Sequence, residues 1–371
     1  MTALVKTSAM RPAKRWATPL FTLALIGLAL AQPLTPISSD PRLATVLLAL
    51  LLGISIKTKS TKQQHNLAAP ILPAATAPVI LAAWLLLSAA WSSAPISRVL
   101  PQIAFLCMLV LLIKASIQRD IDIQSAIAVV GLGVIGVSAY LWLVAPSETL
   151  VAGRLSGMMS NPLALASTIL LTTPAIACWK RGSWTVWVIS FGMVWLTGSR
   201  TVFLALLIAF ALTIFGKADL GGKIGIIGVL AIAAYLVIPS LVQEASGAGA
   251  GSATILRSNN SHVFVWERGW ELSQQHIIRG SGLGSLADET GSSVLAVLIV
   301  GGAVGIVSAT VALFVAFRSQ RSLSDWRFVT VAAGSVGALT EGWLISAGTI
   351  FSAIYWICVV SLIVYPTRKG K

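Results

Sequence analysis

The sequence predicts an all-α, polytopic integral membrane protein of about twelve transmembrane helices, with one large extracytoplasmic loop carrying an amphipathic helix. Three observations predict it. Of 371 residues, 56% are hydrophobic and 10% charged, where soluble domains carry about a quarter charged. The apolar residues fall in runs approaching the roughly 20 residues that a bilayer crossing needs, joined by short polar turns. One polar stretch, Gln243 to Glu289, is the only long interruption. The chain thus divides into 1–242 with nine spans, the extracytoplasmic loop 243–290, and 291–371 with three more spans.

Taken in order, spans are expected at roughly 17–31, 43–56, 76–91, 99–113, 123–145, 163–179, 183–197, 201–215, 223–242, 293–316, 327–348 and 350–366. The first is preceded by a basic start and includes Ala29-Leu30-Ala31, features that also mark a cleavable signal peptide. We read it as a retained span. Lys and Arg in short loops set orientation. With the N-terminus in the cytoplasm, 19 of the 26 basic residues and four of the twelve acids fall inside. Both termini are then cytoplasmic and the long loop is outside. A net charge of +14 would suggest nucleic acid in a soluble protein. Here it is a topology signal, and no nucleic-acid partner is expected. Cys107, Cys178 and Cys358 lie far apart inside apolar runs and read as small core residues, without metal or disulfide spacing.

The cations also differ in kind across the membrane. All eleven lysines fall inside, while the outside cations are Arg42, Arg98, Arg154, Arg200, Arg257, Arg268 and Arg279. Lysine is a hydrated point charge suited to anionic inner lipids, whereas the guanidinium fork matches phosphate oxygens two at a time. Arg42 and Arg98 read as interfacial side chains that snorkel.

Arg154 and Arg200 have richer surroundings. The loop before the sixth span reads GRLSGMMSNPLALA, with Gly153 and Gly157 permitting close backbone approach and Asn161-Pro162 opening a helix. In WLTGSRTVFLA, the seventh span turns at Thr197-Gly198-Ser199 and Arg200 opens the eighth beside a helix N-terminus, a ready anion site. The competing structural role for Arg200 is an internal ion pair with Glu341 or a loop acid. In the long loop, His262 to His276 forms an amphipathic helix with Val263, Trp266, Trp270 and Ser273 on one side and Glu267, Arg268 and Glu271 facing away. The tryptophans are expected to lay it on the outer membrane face. Gly280-Ser-Gly-Leu-Gly284 follows no strand, so it reads as a flexible turn rather than a nucleotide-binding motif. The stretch 245–254 is of low complexity.

Gly153-Arg154-Leu-Ser-Gly157 with Asn161-Pro162, Leu196-Thr-Gly-Ser-Arg200, and Trp266 followed fourteen residues on by Gly280-x-Gly-x-Gly284 resemble the O-antigen ligase and Wzy-type polysaccharide polymerase superfamily. So does the topology, with its outside loop between spans nine and ten. The resemblance covers roughly residues 150–305. It implies a membrane glycosyltransferase of the bacterial inner (cytoplasmic) membrane that polymerises or ligates undecaprenyl-pyrophosphate-linked glycan at the extracytoplasmic face, without metal or other cofactor. The implied partners are that donor, a glycan or lipid acceptor, the lipid bilayer, and a chain-length regulator. Arg154 and Arg200 would bind the pyrophosphate, with Arg268, Arg279 and Asn161 as further substrate contacts.

The sequence departs from the family pattern at two places. A His-Asn pair usually precedes span ten, and here Gly291-Ser292 occupies its place. An arginine common four residues before the loop tryptophan is here His262. Deprotonating a sugar hydroxyl calls for a base near its working pH. The candidates are Glu289, nearest the vacant position, His262 at the helix start, and His276, with Asp288 nearby. Two other classes of function fit parts of the pattern: a transporter or flippase of lipid-linked glycan, and a catalytically inactive relative with a structural role.

Overall fold

A computed structural model of the chain describes residues 12–30, 72–118, 121–159, 161–179, 184–215, 262–285, 291–320, 322–345 and 349–364. They form a helical bundle with one two-stranded ribbon. The helices are α1 (Pro12–Leu30), α2 (Leu72–Leu87), α3 (Ile96–Gln118), α4 (Ile123–Val144), α5 (Pro162–Cys178), α6 (Trp184–Thr197), α7 (Arg200–Phe215), α8 (His262–Gln274), α9 (Ser293–Arg318), α10 (Trp326–Thr340) and α11 (Ile350–Val364). Three of them are long and apolar enough to cross a membrane: α3 over Ile96–Lys114, α4 and α9. Helices α5, α6, α7 and α11 are apolar but shorter, and the spans expected at 43–56 and 223–242 lie outside the described residues.

Helix α5 is the centre. It packs against α4, α6, α7, α10 and α11, so nearly its whole circumference is buried. Helix α11 is buried along its full length. A helix apolar on every side has no face for water and belongs in a core or in lipid. At the periphery, α4 and α6 leave large apolar side chains uncovered, with Leu143 77% and Val188 70% exposed. Such bare apolar surface marks a face meant for something other than water. The polar ends are capped locally: Asp122 accepts from Ser125 N at the start of α4, and Asp325 accepts from Arg327 N at the start of α10.

Helix α9 is broken. Gly302, ten residues in, has φ 62° and ψ −161°, which no α-helix accommodates. The segment after α8 fills the gap. Ser281 N and Gly282 N donate to Ile299 and Val300 carbonyls, while Ala303 N and Val304 N donate to Ile277 and Ile278 carbonyls. The Gly301 carbonyl accepts from Trp84 Nε1 of α2 at 2.7 Å, and the Gly280 carbonyl accepts from Trp91 Nε1 at 3.2 Å. Each of these backbone groups freed by the break therefore has a partner. A methyl at 302 would lie 2.2 Å from the Ile278 oxygen, and one at 280 would lie 2.3 Å from the Val300 oxygen. Both positions require glycine. The expectation of a flexible turn at Gly280–Gly284 is thus corrected: Gly284 N also donates to Gln102 Oε1 of α3, and the segment is a wedge built into the bundle.

One further expectation changes, and α8 shows which of its residues the bundle itself covers. The span drawn through 327–348 stops at Thr340, because Glu341-Gly342 breaks the apolar run and the chain turns there. Over residues 265–274 of α8 the buried positions are Gly269 and Ser273, with Trp266 half-buried, while Trp270 is 51% exposed. Residues 266, 269 and 273 form the i, i+3, i+7 stripe, and Trp270 is rotated off it.

Candidate functional site

The ribbon after α4 places the first arginine. A single helical turn, Pro146–Thr149, leads into β1 (Leu150–Val151), which pairs antiparallel with β2 (Arg154–Leu155), Val151 opposite Arg154. Ala152 and Gly153 both have positive φ, the backbone of a tight hairpin whose twist matches its strands. The ribbon's base is secured: Ser156 N and Ser156 Oγ donate to the Thr149 carbonyl, Met158 N donates to Ser138 Oγ on α4, and Leu155 is fully buried. Between these anchors, Arg154 Nε donates to the Thr197 carbonyl at 2.7 Å.

Thr197 ends α6, where carbonyls lack intrahelical partners and the helix dipole is negative, so a guanidinium is favoured there. Gly198, with φ 65°, closes α6, and Ser199 starts α7 by accepting from Phe203 N. Arg200 is the first residue of α7 and is 6% exposed. One guanidinium is thus bonded to a two-residue turn and the second leads out of it. The first-turn amides of α7 add partial positive charge. Chemically, this is a place to hold an anion with several oxygens.

A second group of contacts gathers where α9 begins. Trp266 Nε1 on α8 donates to the Gly291 carbonyl at 2.9 Å. Ser293 Oγ donates to the Glu341 carbonyl and accepts from Leu344 N. The Leu344 carbonyl accepts from Ser352 Oγ and Trp356 Nε1 of α11. Glu341, 5% exposed, follows the last residue of α10. Helix α10 packs on α7, the helix that Arg200 opens.

The site residues expected from sequence fare differently. Arg154 and Arg200 are brought to one turn. Asn161 caps α5, its Oδ1 accepting from Leu163 N at 2.8 Å. Arg268, Arg279 and His276 are exposed, and among the described residues their side chains make no hydrogen bond or ion pair. His262 opens α8 at its backbone, and its side chain lies outside the description, as do all of Asp288 and Glu289. The position of the expected histidine, Gly291, instead offers its carbonyl to Trp266. Glu341 entered the sequence reading only as a partner for Arg200. Its signal was plain, since it is the single acid between Trp326 and the C-terminus, within an apolar run.

No protein-family model matches the chain, and no curated protein sequence matches it.

Proposed function

We propose that this protein is a membrane glycosyltransferase that transfers an undecaprenyl-pyrophosphate-linked glycan onto a glycan or lipid acceptor. The observation that carries the reading is the Arg154 Nε bond to the Thr197 carbonyl, which draws a second guanidinium onto the turn that Arg200 leaves. On the twelve-span reading, with both termini in the cytoplasm of a bacterial inner membrane, this turn, the Glu341 turn and α8 all face outward. No nucleoside triphosphate is at hand there, so the donor must carry its own leaving group. Pyrophosphate departs with growing negative charge, and prearranged arginines stabilise that charge most where water is excluded. The apolar helices supply a surface for the prenyl tail, and a chain-length regulator would act on the growing product.

The broken helix α9 is a feature that transporters also use, but there the unwound backbone is offered to the cargo. Here the loop and Trp84 take up those backbone groups. That favours transfer over transport.

The test is transfer by purified, reconstituted protein, using the host's own lipid-linked oligosaccharide extracted from cells lacking this gene. Arg154→Ala and Arg200→Ala are each expected to lower turnover by about 10²-fold or more. Wild-type turnover in both variants would overturn the reading, as would movement of the lipid-linked glycan between leaflets without any transfer.

A further inference from the structure

Away from the arginine turn, the chain between α9 and α10 carries more positive charge than it can cancel by itself. From Arg318 to Arg327 it reads RSQRSLSDWR, three arginines and one acid. That acid is committed: Asp325 caps α10 and its carboxylate pairs with Arg327 at 2.6 Å, while Arg327 Nη1 donates to the Ser361 carbonyl of α11. Arg318 ends α9, is exposed, and forms no ion pair with a described residue.

The same connection holds a cavity of about 380 Å³, lined by Phe317, Gln320, Ser322, Leu323 and Phe328. Its size falls in the range of small-ligand sites. One wall is apolar. Phe317 of α9 and Phe328 of α10 meet edge to face with ring centres 5.7 Å apart, and Leu323 is 44% exposed. The other wall is polar. Gln320 Nε2 donates to the Ser322 carbonyl, and Ser322 Oγ shares a hydrogen bond with Ser324 Oγ at 3.0 Å.

Depth explains why both kinds of wall occur together. Helix α9 is long and apolar enough to cross a membrane, and its sequence stays apolar up to Phe317 and turns polar from Arg318. With α9 as a span, the cavity lies where hydrocarbon gives way to head groups. Arg318 directly follows the lining residue Phe317, and its long stem lets the guanidinium reach the head-group level. Water alone would leave Phe317 and Leu323 bare, and a hydrocarbon tail alone would leave the cation unmatched. An amphiphile with an anionic head satisfies both. On the orientation expected from lysine and arginine, this end would face the cytoplasmic leaflet, whose surface is anionic.

We propose that this cavity binds an anionic glycerophospholipid, with its phosphate met by Arg318 and the upper part of an acyl chain laid along Phe317, Leu323 and Phe328. The site stands apart from the transfer reading, since it needs only that α9 cross a bilayer.

The experiment reconstitutes the full-length protein in phosphatidylcholine vesicles containing a trace of photoactivatable phosphatidylglycerol or, separately, photoactivatable phosphatidylcholine with the same tails. Crosslinked peptides are then mapped. The anionic probe is expected to label residues 317–328 about fivefold more than the zwitterionic one. Arg318→Gln, at an exposed position that folding tolerates, is expected to remove that preference and leave labelling by the zwitterionic probe unchanged. Leu323→Trp, which fills the cavity, is expected to lower labelling by both probes, with thermal unfolding as the control on its fold. Equal labelling of the wild-type protein by the two probes overturns the proposal. So does labelling that avoids residues 317–328, or a preference that survives in Arg318→Gln.

Discussion

Ala152 is the residue whose conformation is least expected. A methyl-bearing residue with φ 52° carries a left-handed penalty of about 1–2 kcal/mol that asparagine and glycine largely escape. Its neighbours over-determine it: Gly153 completes the turn, and Leu155 is buried directly after Arg154. Ala152→Asn is therefore expected to stabilise the protein by up to about 1 kcal/mol, read as a raised Tm, with turnover retained because Arg154 keeps its bond to Thr197. Trp266 gives a second prediction at this scale. Trp266→Phe keeps an aromatic ring but deletes the donor to the Gly291 carbonyl, costing about 1 kcal/mol. Limited proteolysis is expected to cut near α8 faster in that variant, and an unchanged rate would refute the docking of α8 through this bond.

At the scale of the element, the joint between α9 and the 277–284 segment is the feature to test. Gly302→Ala and Gly280→Ala each drive a methyl into a carbonyl of the other segment, at 2.2 and 2.3 Å. Each also places a side chain at positive φ, so a loss of about 2–3 kcal/mol or more is expected. Because the two glycines face one joint, the double variant should cost less than the sum of the singles, and strict additivity in thermal unfolding would show that the joint is not a unit. This element was the least legible in the sequence. Gly301-Gly302 in an apolar run reads as small residues within a helix, and Gly280–Gly284 reads as a turn. Only the pairing between them, with Trp84 from over two hundred residues earlier, breaks the helix. By contrast α4 was legible nearly to the residue, since Asp122 is a cap and Ala145-Pro146 a stop. Arg154 and Arg200 were legible as a pair because each directly follows a short turn. Glu341 was visible as a lone acid, yet a span drawn through it hid the turn it occupies.

Across the whole molecule, orientation decides which chemistry is possible. The orientation expected from lysine and arginine would put Arg268 and Arg318, both exposed, on opposite sides of the membrane. With Cys107, Cys178 and Cys358 replaced by alanine, Arg268→Cys is expected to react with a membrane-impermeant maleimide on intact spheroplasts, and Arg318→Cys only after lysis. The reverse pattern would move the arginine turn to the cytoplasm and remove the need for a donor with its own leaving group.

The break in α9 also has a consequence for how the protein is made. Backbone groups left without partners in hydrocarbon cost several kcal/mol each, and the break exposes at least five of them: the Ile299, Val300 and Gly301 carbonyls and the Ala303 and Val304 amides. Alone in a bilayer, α9 has every reason to be a straight helix with Gly302 in the ordinary right-handed conformation. The kink is worth forming only when residues 277–282 and Trp84 are already alongside. Assembly of the bundle therefore precedes bending, and the Gly291–Ser293 segment, together with the Glu341 turn bonded to it, takes its final position only in a chain whose distant parts have met.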